Sequence, residues 1–105
     1  EICGEHHAPA TMRAADYLLR RPLKYNDSFF FYGVYYCTVG MFQVGGRHWE
    51  VTRNHISSVL LSKQHPDGSW NHQDGTEASF GPIYATSMSV LALAVEYQYL
   101  PIYQR

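Results

Sequence analysis

The segment Gln64-His65-Pro66-Asp67-Gly68-Ser69-Trp70 separates two helical patterns of opposite character. An amphipathic stretch precedes it and an almost wholly apolar one follows. Pro66 presets φ for a turn, Asp67 can bond the backbone ahead of it, and Gly68 accepts a positive φ. Gln64 is placed to hold the last free carbonyls of the helix or the amides of the turn. Trp70 is placed to pack its ring on the result. Such a corner ends an outer helix and returns the chain to an inner one. Gln64, Asp67, Gly68 and Trp70 are therefore expected to act as a structural motif.

The hydrophobic pattern predicts an all-α fold with four main helices; the aromatic stretch Phe29 to Tyr36 could also make a strand, but sixteen residues without an internal turn signal favour helix there. The first runs from about Pro9 to Leu19, with Pro9 suited to the first turn and Pro22 forbidding continuation. Met12, Ala15, Leu18 and Leu19 line one side of it. The second runs from about Phe29 to Val44 and stops at Gly45-Gly46. Ser28 or Asp27 can cap it. Gly33 and Gly40 lie seven residues apart, so they share a face that another helix could approach closely. The third runs from about Arg47 to Lys63, with Trp49, Ile56, Val59, Leu60 and Lys63 on one stripe. A long loop, Gln64 to Gly81, leads to a fourth helix from Pro82 to about Tyr99, where Pro101 stops it. That last helix is apolar or small all round, which implies burial on several sides. Two amphipathic helices thus alternate with two apolar ones, outer then inner, as in a double layer of αα-hairpins.

At 105 residues the chain allows a single domain. A net charge of −1 gives no electrostatic footprint for nucleic acid or an anionic membrane. No run of eighteen apolar residues exists. Phe29 to Val44 comes closest, and Thr38 and Gln43 interrupt it, so no integral membrane segment is expected. A chain that opens on Glu1 reads as a mature product or an excised fragment. Cys37 reads as a small core residue and Cys3 lies near a terminus, so the compartment stays open.

Gln64-x-x-Asp67-Gly68-Ser69-Trp70, followed by Tyr84-Ala85-Thr86-Ser87-Met88-Ser89-Val90-Leu91-Ala92-Leu93, resembles the prenyltransferase and squalene-oxidase repeat. Triterpene cyclases, protein prenyltransferase β-subunits and complement-type thioester domains share that αα-toroid. The likeness extends more loosely through Tyr32-Gly33-Val34-Tyr35-Tyr36 and Met41-Phe42-Gln43-Val44-Gly45-Gly46. The end, Glu96-Tyr97-x-Tyr99-Leu100-Pro101-Ile102-Tyr103-Gln104-Arg105, is similar to the closing segment of large bacterial repeat proteins of this kind. The resemblance implies a toroid of several hairpins, of which this chain supplies the closing part.

Little catalytic chemistry accompanies that likeness. The aspartates Asp16, Asp27, Asp67 and Asp74 are isolated, and none makes the Asp-x-Asp-Asp acid of a cyclase. The Asp, Cys and His set of a zinc prenyltransferase has no counterpart at Cys37, at His65 and His72, or at His6-His7. Cys3-Gly4-Glu5-His6 resembles a thioester sequence, but His6 stands where glutamine is needed, leaving Cys3 at most a speculative nucleophile. No catalytic site, metal or cofactor is expected in this chain. Tyr32, Tyr36, Tyr84 and Met88 are candidates to line an apolar pocket, where rings could stabilise an isoprenoid carbocation through cation–π contacts. The alternative is that they are simply core. The expectation is a structural and binding module that self-associates or packs on the remainder of a parent toroid. The rival is a pocket-lining segment of a terpene cyclase or prenyltransferase-like enzyme, and a third reading is a protein-interaction scaffold.

Overall fold

The computed structural model describes residues 8–97. It contains α1 (Pro9–Arg20), α2 (Phe30–Val44), α3 (Gly46–Lys63) and α4 (Gly81–Ala94). Short 3-10 turns at Glu77–Phe80 and Val95–Tyr97 flank α4. Among the described residues there is no strand, and the fold is all-α with four main helices.

α2 is the hub. It packs chiefly against α3 and α4, while α1 packs more lightly on α2 and α3. The main core joins Phe30, Phe31 and Val34 of α2, Ile56 and Leu60 of α3, and Ala85 of α4. Trp70 completes it from the loop. Each large apolar side chain withdrawn from water here contributes about 1.5–3 kcal/mol. A second, smaller cluster holds α1, where Ala15 meets Met41 and Val44 of α2 with Met12, Leu18, Leu19 and Trp49 around it. A hydrogen bond between His48 Nε2 and Asp16 Oδ1 at 2.7 Å adds a clip between α1 and α3.

α2 stops where Gly45 takes φ +76° and its N–H donates to the Met41 carbonyl at 2.9 Å. α3 begins at once, so this junction has no loop. On the stripe of α3, Ile56 and Leu60 are buried, Trp49 and Val59 half-buried, and Lys63 exposed.

The structure corrects several expectations. Neither Ser28 nor Asp27 caps α2 with its side chain; Phe29 holds the cap position and makes no side-chain cap bond. The Asp27 carboxylate instead accepts the Lys24 N–H at 2.9 Å, and its carbonyl accepts the Phe30 N–H at 3.2 Å, so the local turn consumes both groups. The glycine face of α2 does not receive a helix. A Cβ on Gly33 would meet the Leu23 side chain at 3.3 Å, and at Gly40 the space is open. α4 ends at Ala94 and tightens into a 3-10 turn, earlier than the run to Tyr99; Pro101 lies outside the described residues. The stretch long and apolar enough to cross a membrane by length and composition is Glu77–Tyr97, not Phe29 to Val44. Its broken helix starts on a carboxylate bonded to α2, so no clear membrane segment is present among the described residues. Nor is α4 buried on several sides: Ala85, Ser89 and Ala92 face the core, whereas Ile83, Val90 and Leu91 face outward.

Candidate functional site: an aromatic face over a buried carboxylate

The first turn of any α-helix presents backbone amides with no partner inside the helix. In α2 that turn is Phe30, Phe31 and Tyr32, with no acidic residue to help. Its partner comes from the 3-10 turn 45 and 46 residues later. Glu77, fully buried, accepts the Phe31 N–H on Oε1 at 2.8 Å and the Tyr32 N–H on Oε2 at 2.9 Å. The Tyr84 hydroxyl donates to the same Oε2 at 2.9 Å. A carboxylate here meets two helix-end amides, the positive end of the helix dipole and a phenol. These donors offset the cost of burying its charge.

Above this carboxylate lies a surface of rings. Tyr32 and Tyr36, one turn apart on α2, stand 4.8 Å apart by ring centroid, and Tyr35 lies 5.0 Å from Tyr36. Phe80 and Tyr84 meet edge to face at 5.2 Å. Tyr32, Tyr36 and Phe80 are each about half exposed. Burial first, then the hydrogen bond and charge of Glu77, push the Tyr84 hydroxyl up to about 12, with Tyr32 and Tyr36 adding to the effect. The face continues along α4 as Ile83 (83% exposed), Val90 and Leu91, and ends at Tyr97. Of the four candidate pocket residues, Tyr32, Tyr36 and Tyr84 therefore share one surface. Met88 is half-buried against the core at its edge. Such a face can hold apolar groups, and its rings can attract a cation. Tyr84, having given its proton's hydrogen bond to Glu77, keeps an oxygen lone pair as an acceptor.

The corner is built from its own side chains. His65 and Gly68 close a turn, Gly68 N–H to His65 carbonyl at 2.9 Å, with Gly68 at φ +94°. Asp67 Oδ1 accepts both the N–H and the hydroxyl of Ser69, at 3.0 and 2.7 Å, and these bonds hold its carboxyl below the usual range. The Gln64 amide donates to the Gly68 carbonyl at 2.8 Å. Trp70 is 2% exposed; its indole N–H donates to the Leu60 carbonyl at 2.8 Å, and its backbone N–H to Thr86 Oγ1 at 3.0 Å. The corner thus ties the end of α3 to α4.

Cys37 is half-buried on α2, and burial pushes its thiol up, away from the reactive thiolate. Cys3 lies outside the described residues. Among the described residues no three His, Cys, Asp or Glu side chains gather where a metal could sit. His65 belongs to the corner. His72 is packed on Tyr25 and Phe31 at 4.7 and 4.8 Å between ring centroids.

Sequence reasoning missed Glu77 and Tyr25, and it weighed His72 only as a zinc ligand, which it set aside; the ring is half-buried against Tyr25 and Phe31. The one available signal for Glu77 is indirect: the first turn of a buried helix needs several acceptors for its amides, and the local candidates Asp27 and Ser28 can serve only some of them. Comparison with protein-family models, with curated proteins and with solved structures finds no match.

Proposed function

We propose that this chain is a structural and binding αα-hairpin module, the closing part of a toroid of the prenyltransferase/squalene-oxidase-repeat kind. Its α2–α4 face is the seat of further helices, and no complete catalytic site resides in the chain. One observation carries this reading. Tyr32 and Tyr36 of α2, Phe80 of the 3-10 turn before α4, and Ile83, Val90 and Leu91 of α4 all stay exposed to solvent. Large apolar side chains left exposed in this number favour an interaction surface. With no other helices present, the same face should pair with a second copy, most simply about a two-fold axis. Sedimentation at micromolar concentration should report a species larger than the 12.1 kDa monomer. Ile83→Lys with Val90→Lys should return it to a monomer of unchanged helicity. A clean monomer for the unsubstituted chain would sink the proposal.

A second reading, a wall of an isoprenoid pocket, draws support from the shared surface of Tyr32, Tyr36 and Tyr84. Saturable quenching of tyrosine fluorescence by an isoprenoid alcohol, abolished in Tyr36→Ala, would favour it over helix docking.

A further inference from the structure

Both connections that lead from an amphipathic helix to an apolar one meet at the same end of the molecule. Residues 25–28, residues 71–76, and Lys63 and His65 at the end of α3 enclose an open cleft of about 460 Å³. That volume lies within the range of small-ligand sites, about 300–1,000 Å³. The cleft is separate from the aromatic face.

Its walls are tied together. The Tyr25 hydroxyl donates to the Asn71 carbonyl at 3.1 Å. His72 Nε2 donates to the Tyr25 carbonyl, which has no hydrogen to give. The Lys63 ammonium rests 5.4 Å from the Tyr25 ring centroid. The side chains of Asn26, Gln73 and Asp74 make no hydrogen bond or ion pair among the described residues, and all three are exposed. Just below the surface, Asn71 Oδ1 is shut off from solvent and has no donor. An acceptor in that state gains a bond if the amide turns about χ2 toward a donor in the cleft.

The lining selects the ligand by exclusion. It has no aliphatic wall, so an apolar guest gains nothing. Asp27 and Asp74 outnumber Lys63 by one, so the carboxylates and ammonium of the lining leave one net negative charge, which turns away an anion. The nearby start of α2, where an anion would otherwise be drawn, is already occupied by the Glu77 carboxylate. What remains is a dense mixture of neutral donors and acceptors. We propose that this cleft binds a small neutral polyhydroxylated ligand, a mono- or disaccharide. Its hydroxyls would donate to Asn71 and Asp74 and accept from Asn26, Gln73 and Lys63.

The test is an NMR titration of the 105-residue chain with glucose, galactose, N-acetylglucosamine and cellobiose in turn. At least one should give saturable shifts confined to residues 25–28, 63–65 and 71–76, with a dissociation constant on the order of 1 mM or tighter. Asp74→Ala and Gln73→Ala remove exposed side chains, so helicity should persist while binding weakens by about tenfold each. Three outcomes would overturn the proposal. One is no saturation with any of the four sugars. Another is saturable shifts elsewhere on the chain, or unchanged binding in both variants. The third is a cleft that responds to putrescine or inorganic phosphate and to no sugar.

Discussion

Glu77 accepts from three donors at once, two amides of α2 and the Tyr84 hydroxyl. Glu77→Gln keeps its size but turns one oxygen into an N–H₂ that faces donors. Amides of Phe31 and Tyr32, or the Tyr84 hydroxyl, then lose an acceptor in a buried place. The expected cost is about 2 kcal/mol, read as a lower denaturant midpoint at unchanged slope. Trp70→Ala empties a buried site and frees the Leu60 carbonyl; the expected loss is on the order of 3 kcal/mol in the same measurement. Tyr84 makes a pH prediction. Its hydroxyl is raised from 10.0 to about 12. A group held protonated by folding contributes its stability fully below pH 10 and loses it as the pH climbs through about 12. Phenolate absorbance should therefore show a late tyrosine that vanishes in Tyr84→Phe. Tyr25, raised by burial, should remain. A Tyr84→Phe titration identical to that of the unsubstituted chain would contradict this assignment.

Among the helices, α1 is the weakest. Ala15 is its one buried residue, and the Asp16 bond to His48 lies at the surface. Exposed pairs contribute at most about 1 kcal/mol. Amide hydrogen exchange should therefore be fastest in α1 and slowest in the Phe30–Val34 part of α2. α4 carries a different defect. Ser89 is fully buried and its hydroxyl finds no partner among the described residues. Ser89→Ala removes it and adds helix propensity, so thermal denaturation should show a gain of about 0.5–1 kcal/mol. The helices themselves were legible from periodicity and from Pro9, Pro22, Gly45 and Pro82, because those signals act within a few residues. The cap of α2 was not, because its acceptor sits 46 positions away and only packing brings it there. The outward face of α4 was illegible for a related reason. A sequence apolar all round says that every side prefers cover, not how many sides this chain can cover. The cleft escaped notice because its residues come from two loops that look like ordinary connections.

At the scale of the whole molecule, surplus apolar surface couples stability to assembly. If association buries the α2–α4 face, the melting temperature should rise with protein concentration. The Ile83→Lys, Val90→Lys variant should melt at one temperature throughout. The long reach of Glu77 has a further consequence, for the order in which the chain acquires structure during synthesis. α2 is complete as a string of residues once Val44 has been added, yet its Phe31 and Tyr32 amides have no protein acceptor until Glu77 emerges. A nascent chain halted at Lys63 would hold α1, α2 and α3 with the first turn of α2 frayed. Extension through Tyr84 would supply both the carboxylate and the phenol that steadies it. The Glu77–Tyr84 segment thus acts as a checkpoint on the start of α2: translation must run 46 residues beyond Phe31 before that start is fixed.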